Sequence, residues 1–253
     1  MILELDDVTV TFTAGAPLRR VHLDAMKHVS LEVAEGETLG LVGESGSGKT
    51  TTSRVALGLQ RPTTGTVRFD GRPFPKRRRE LAGRMQAVLQ HPHWSLNPRM
   101  RVGQSVAEPL DVLGRPMDGR ADGRAGGAVG EMLEQVGLEA GFADRYPHEL
   151  SGGQRQRVSI ARALVTRPAF IVFDEAVSAL DVSVQVQILN LIKDLQAEYG
   201  FSALFISHDL GAVRYVADRI AVMRKGEIVE TADTATFYTH PSHEYSKQLL
   251  EAL

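Results

Sequence analysis

The densest chemistry in the chain lies in eight residues, Gly43-Glu44-Ser45-Gly46-Ser47-Gly48-Lys49-Thr50. The spacing G-x-x-x-x-G-K-[ST] marks a phosphate-binding loop when a strand leads into it and a helix follows. Both flanks fit: Thr38-Leu39-Gly40-Leu41-Val42 reads as a short buried strand, and Thr51 to Leu59 as a helix. Glycines let the backbone turn back over an anion so that successive N–H groups point inward. The helix start adds unpaired N–H groups and the positive end of a dipole. Lys49 is expected to reach the β- and γ-phosphates, and Thr50 to set its hydroxyl on Mg²⁺. A glycine-rich turn that holds no anion is the bland alternative, and it leaves Gly48-Lys49-Thr50 in this context unexplained. The loop implies a nucleoside triphosphate; it does not say what the energy is used for.

Three further positions could do chemistry. Phe170-Ile171-Val172-Phe173 is an apolar strand that ends in Asp174-Glu175. In nucleoside triphosphatases such a strand carries the Mg²⁺-associated carboxylate, so Asp174 is expected to hold the metal through water. Glu175 would face the γ-phosphate and polarise the attacking water; solvated acids at a strand end are the plainer alternative. His208 follows the buried strand Ala203-Leu204-Phe205-Ile206, and the C-terminal end of a parallel strand faces the ligand crevice. Phe12 ends a strand ahead of the loop and either stacks under an adenine ring or belongs to the core. His91 and His93 lack a trustworthy ligand spacing, and Trp94 beside them is either core or a partner contact.

Composition bounds what these groups can serve. A chain of 253 residues, 43% hydrophobic and 24% charged, has the make-up of a soluble globular protein of one large or two small domains. The net charge of −2 gives no bias toward nucleic acid. The run Lys76-Arg77-Arg78-Arg79 has no interleaved aromatics and reads as a solvated loop. The absence of cysteine excludes disulfides, thiolate metal sites and iron–sulfur clusters. Met1 to Asp7 lacks the basic start and apolar core of a signal peptide, and no window approaches the roughly 18 apolar residues of a membrane span. The expectation is a cytoplasmic protein that would act at a membrane only through a partner.

The elements that must position the chemistry follow in order. Leu3, Leu5, Val8, Val10 and Phe12, then Val29, Leu31 and Val33, have the period of strands. Thr13 to Pro17 reads as a surface loop and Glu35-Gly36-Glu37 as a turn. After the phosphate loop, Pro62 to Gly65 reads as a turn, Thr66 to Phe69 as a strand, and Ala87 to Leu89 as a strand ending on Gln90. Val102 to Gly137 reads as interrupted helix, with a loose glycine-rich linker from Met117 to Gly130 and helix again from Glu131. Ser151 is a natural cap for a helix over Arg155 to Val165, with Val158, Ile160, Ala161 and Leu164 on its apolar face. Val182 to Tyr199 is an amphipathic helix whose predicted apolar face is Val186, Leu189, Ile192 and Leu195. Helix over Arg214 to Ala217, a hairpin around Arg224 to Glu227 and a short helical tail complete the chain.

Taken together, the loop Gly43 to Thr50, Gln90, Leu150-Ser151-Gly152-Gly153-Gln154, Asp174-Glu175, Ser178-Ala179-Leu180-Asp181 and His208 resemble the nucleotide-binding subunit of ATP-binding cassette (ABC) transporters. The resemblance covers essentially the whole chain, and Leu-Ser-Gly-Gly-Gln is its most specific part. It implies an α/β P-loop nucleoside triphosphatase, an ABC ATPase, with a mixed sheet core, an N-terminal antiparallel β part and a helical insert. It also implies one domain over 1–253, with a catalytic core over 1–90 and 161–253 and a helical signature subdomain over 91–160. Bound ATP would contact Phe12, Gly43, Glu44, Ser45, Gly46, Ser47, Gly48, Lys49, Thr50 and Thr51. Ser151, Gly152, Gly153 and Gln154 would complete the site of a second ABC ATPase subunit, like or unlike, in a head-to-tail dimer. Thr50, Gln90 and Asp174 would attend Mg²⁺, Glu175 would act as base, and His208 would contact the γ-phosphate. Gln90 would also couple to transmembrane permease subunits, and Asp181 would link the two sites.

Within that family the wording is similar to the dipeptide, oligopeptide and nickel import group. It extends to Ser95-Leu96-Asn97-Pro98-Arg99-Met100, Arg145 to Gln154 and the tail His240-Pro241-Ser242-His243-Glu244-Tyr245-Ser246. Ala176-Val177 stands where Pro-Thr is usual, as in nickel-type members, and His91 where Asp is usual; the chain ends soon after Tyr245. The resemblance implies a peripheral subunit on the cytoplasmic face of the cell membrane that powers import of peptides, nickel or a metal chelate. An extracytoplasmic solute-binding protein would be an indirect partner, and nucleic acid none. An ABC exporter ATPase is a near alternative. Ribosome- or DNA-associated ABC ATPases are more distant, because they would want two cassettes in one chain or a long coiled coil before the signature.

Overall fold

The computed structural model describes residues 1–14, 21–90, 96–114 and 127–251. The chain forms two compact units, one of Met1–Lys76 with Ser202–Leu253 and one of Arg77–Phe201.

In the first unit, β1 (Leu3–Ala14), β2 (Val21–Val33), β4 (Thr64–Phe69) and β5 (Arg72–Pro73) form an antiparallel sheet in the order β2-β1-β4-β5. Leu3, Leu5, Val8 and Val10 are all buried although Leu5 and Val8 differ in parity. The register shifts between Leu5 and Val8, with Asp7 at φ 52, and this irregularity returns Val8 to the core face. A mixed sheet follows, with β3 (Thr38–Val42) parallel to both β8 (Ser202–Ile206) and β9 (Arg219–Arg224), and β10 (Glu227–Asp233) antiparallel to β9. Every residue of β3 and β8 is buried, as unbroken apolar runs in parallel strands require. Helices α1 (Lys49–Ala56), α6 (Leu210–Val216), α7 (Thr234–Thr239) and α8 (Glu244–Glu251) complete this unit.

In the second unit, β6 (Met85–Leu89) runs parallel to β7 (Phe170–Asp174). Between them come α2 (Val102–Val112), α3 (Ala128–Gln135) and α4 (Gly152–Leu164), and after them the long α5 (Val182–Tyr199). Val158, Ile160, Ala161 and Leu164 are buried on α4 as the pattern predicts.

Several boundaries differ from the sequence reading. The first helix starts at Lys49 rather than Thr51, so the end of the phosphate loop is already its first turn. It stops at Ala56 rather than Leu59. Gly58, at φ 64, donates to the Val55 carbonyl and Leu59 to the Arg54 carbonyl, the paired bonds of a glycine-terminated helix. Thr13 and Ala14 belong to β1, Thr64 and Gly65 to β4, and Ala128 to Gly130 to α3. Helix α6 starts at Leu210, four residues before the expected Arg214, because the Asp209 carboxylate accepts the Ala212 N–H and caps it. On α5 the buried face is Ile188, Leu189, Ile192 and Leu195, while Val186 is 49% exposed. Val186 lies past Leu189 on the far side of the 3.6-residue arc, and Ile188 takes its place. The readings on 15–17, 91–95 and 117–126, including His91, His93 and Trp94, fall outside the described residues.

Candidate functional site

The turn from β3 into α1 holds the phosphate loop. Gly43 and Gly48 sit at φ 152 and 115. A Cβ on Gly43 would stand 2.1 Å from the Met223 carbonyl oxygen, and one on Gly48 2.5 Å from the Ala25 carbonyl oxygen. Side chains are therefore barred by backbone on both counts, and the loop lies directly against the end of β9 at Met223 and against β2 at Ala25. The Gly226 N–H donates to the Ser47 carbonyl at 2.8 Å, and the Lys27 N–H donates to the Gly226 carbonyl at 2.7 Å, which ties the loop to the β9–β10 turn. Lys49 is buried, and its ammonium donates to the carbonyls of Gly43 at 2.6 Å and Glu44 at 2.8 Å. The Ser47 hydroxyl is buried with no hydrogen-bond partner among the described residues. Leaving a buried hydroxyl unsatisfied costs about 1–3 kcal/mol, a cost that a phosphate oxygen at that point removes. Thr50 is exposed and Thr51 half-buried on the first turn of α1. The loop thus gathers an ammonium, a waiting hydroxyl and a helix start, which is the donor set a polyphosphate needs.

His208 belongs to the same unit. Strands β3 and β8 pair in parallel with Leu41 opposite Ile206, so Gly43 and His208 leave neighbouring strands at the same level. His208 is exposed; beside it the buried Ser207 hydroxyl accepts the Asp209 N–H at 3.0 Å. Phe12 is 38% exposed and pairs across the sheet with Leu23, which is 65% exposed. Of the two readings of Phe12, the core is excluded and a surface ring remains.

In the second unit, Leu89 pairs with Asp174, so Gln90 and Glu175 leave β6 and β7 side by side. Ser178 joins them. The Gln90 amide donates to the Ser178 hydroxyl at 3.1 Å, and that hydroxyl donates to the Glu175 carbonyl at 2.9 Å. The Ser178 N–H adds a second bond to the same carbonyl at 3.2 Å. Glu175 is held at φ 51, an uncommon conformation for a residue with a side chain. Asp174 and Glu175 are both half-buried. In the sequence Ser178 is one residue of the Ser178–Asp181 motif with no role of its own, and only its place three residues past Glu175 hints at a turn.

Ser151 caps α4 as the sequence predicts, but the helix starts at Gly152, three residues ahead of the expected Arg155. The Ser151 hydroxyl accepts the Gln154 N–H at 3.3 Å, and the Gln154 side chain accepts the Ser151 N–H at 2.9 Å, a reciprocal cap on α4. Gly153 meets α5 closely: a Cβ there would stand 2.6 Å from the Val184 side chain, and one on Gly152 3.7 Å from that of Leu180. Gly153 thus lets the start of α4 seat against Val184, while Gly152 leaves ordinary room beside Leu180. Upstream, the Val102 N–H donates to the Arg145 carbonyl at 2.9 Å, and an Arg155 guanidinium N–H donates to the Pro147 carbonyl at 3.3 Å.

The family described as ABC transporter matches residues 26–178, a span that runs from β2 through the phosphate loop to Ser178. The chain belongs to the ABC transporter family. It is an ATPase of that family, with the family's α/β fold. The oligopeptide transport ATP-binding protein OppF of Bacillus subtilis is 48% identical over 236 residues, covering 90% of this chain and 76% of OppF. The dipeptide transport ATP-binding protein DppF of Lactococcus lactis is 44% identical over 258 residues, covering 100% of this chain and 81% of DppF. Among solved structures, a dimeric ATP-binding cassette in a post-hydrolysis state with ADP and Pi bound is 32% identical. It has a TM-score of 0.75 and covers 92% of this chain and 98% of that one. The cbiO1 cassette of Clostridium perfringens, at 24% identity and TM-score 0.81 over 94% of this chain and 91% of that one, shares the fold.

Proposed function

We propose that this ABC ATPase powers a membrane importer of peptides. The observation that carries the ATPase half is the phosphate loop, with buried Lys49 and the unpartnered Ser47 hydroxyl at the start of α1. The peptide half is supported by relatives named for oligopeptide and dipeptide transport, which favour a peptide over nickel or a metal chelate. In this reading Gly43 to Thr51 hold the triphosphate, Phe12 stacks on the adenine, and His208 meets the γ-phosphate. Glu175 acts as base toward water, and Gln90, tied to it through Ser178, reports on the site. The Thr50 hydroxyl, the Asp174 carboxylate and the Gln90 amide are all oxygen donors, a set that fits Mg²⁺. When bound there, Mg²⁺ neutralises charge on the β- and γ-phosphates.

The cassette solved with ADP and Pi is dimeric, which supports a head-to-tail pair with a like or unlike ATPase in which Ser151 to Gln154 serve the opposite subunit. The functional division we assign is a catalytic core over 1–90 and 161–253 and a signature subdomain over 91–160. Among the described residues no helix is long and apolar enough to cross a membrane. Attachment to the cytoplasmic face would therefore run through permease subunits.

The test compares Glu175→Gln with Lys49→Ala. Glu175→Gln keeps shape and hydrogen bonding but removes the basic carboxylate. ATP should still bind, turnover should fall by about two orders of magnitude or more, and ATP-trapped dimers should elute early from a sizing column. Lys49→Ala should lose ATP binding and turnover together. Near-normal turnover in the glutamine variant removes Glu175 from the role of base. A strain lacking this chain should fail to grow on short peptides as its amino-acid source; unimpaired growth counts against the peptide reading.

A further inference from the structure

The C-terminal helix reaches the phosphate loop. Its Tyr245 is buried, and its hydroxyl accepts the Glu44 N–H at 3.1 Å, across 201 residues of sequence. The peptide unit that offers this N–H is the one whose carbonyl, that of Gly43, accepts the Lys49 ammonium at 2.6 Å. One rigid amide plane is thus gripped at both edges, by Tyr245 on the N–H side and by Lys49 on the C=O side. Turning that plane would move the oxygen that locates the Lys49 ammonium.

The ring is fixed before its hydroxyl acts. The Glu230 carboxylate, itself buried, accepts the N–H groups of Ser242 at 2.7 Å and His243 at 3.0 Å, which pins the segment entering α8. The His243 Nδ1 accepts the Tyr245 N–H at 3.0 Å. The Arg224 guanidinium lies 4.6 Å from the Tyr245 ring centroid. Burial raises the Tyr245 hydroxyl above its ordinary range, so the hydroxyl stays protonated.

We propose that Tyr245 is a positioning residue for nucleotide binding: by holding the Gly43–Glu44 peptide, it presets the carbonyl that aims Lys49 at the phosphates. This rests on the nucleotide reading of the loop. Tyr245 needs no contact with the nucleotide, because it acts through Lys49. Glycine at 43 makes such an anchor useful, since a peptide beside a glycine is the easiest in the loop to rotate.

Tyr245→Phe removes the hydroxyl and keeps the ring on Arg224. ATP affinity measured by calorimetry should fall about ten-fold, which is about 1.4 kcal/mol. Amide hydrogen exchange should quicken at Glu44 and stay unchanged at Ser242 and His243, whose bonds to Glu230 are independent of the hydroxyl. A residue that merely docks α8 would quicken all three and leave the affinity of the folded protein alone. Lys49→Ala runs alongside. If it binds ATP normally, the nucleotide reading fails and takes this proposal with it. If it loses ATP while Tyr245→Phe binds as the parent does, the Tyr245 proposal alone is overturned. Unchanged exchange at Glu44 would overturn it as well.

Discussion

Ser178→Ala tests how Glu175 is held. The substitution deletes one oxygen that makes two bonds, to the Gln90 amide at 3.1 Å and to the Glu175 carbonyl at 2.9 Å. The backbone bond from Ser178 to the same carbonyl at 3.2 Å survives. A typical hydrogen bond contributes about 0.5–1.5 kcal/mol net, so the pair is worth about 1–3 kcal/mol. Ser178 is half-buried, and water replaces part of this, which puts the loss near the lower end. Glu175 resists release less than most residues would, because its left-handed backbone is itself strained by about 1–2 kcal/mol. Relaxation there swings the carboxylate away from its working position, and about 1.4 kcal/mol placed on the barrier is a ten-fold drop in kcat. The KM for ATP should hold, because the residues gripping the triphosphate lie elsewhere in the sequence. Steady-state ATPase assays separate the two constants, and Ser178→Thr, which keeps a hydroxyl, should retain most of the turnover. Unchanged kcat in Ser178→Ala, or equal damage in the threonine variant, would refute the role of this hydroxyl.

Two further outcomes follow from packing and charge. Gly153→Ala sets a methyl 2.6 Å from the Val184 side chain and should cost about 1–3 kcal/mol, read as a lowered Tm; adding Val184→Ala should restore much of it. Burial alone would raise Glu230, but the hydrogen bonds from the Ser242 and His243 N–H groups oppose it, and the carboxyl is held below its ordinary 4.5. Its contribution to stability is therefore present above about pH 4.5 and lost as pH falls through the lowered value, and Glu230→Gln should flatten that part of an acid unfolding curve.

What the sequence determined by itself was local. Gly43 to Thr50, Ser151 to Gln154 and Phe170 to Glu175 declare themselves because a turn over an anion, a helix cap and a buried strand each need particular residue types at fixed short spacing. Even there the helix starts were late, at Thr51, Glu131 and Arg214. The first turn of a helix is made of capping and loop-like residues, and the apolar period shows only after it. Val186 was misassigned because periodicity identifies an arc and not which edge of that arc meets the core. The exposure of Phe12 and the neighbouring exits of Gly43 and His208 required strand pairing. Only the tertiary structure showed that Met223 and Ala25 forbid side chains at Gly43 and Gly48, that Ser178 bridges Gln90 and Glu175, and that Tyr245 reaches Glu44. A hydrogen bond is made within about 3 Å in space, and a chain that has folded back on itself sets no limit on how far apart in sequence its two partners lie.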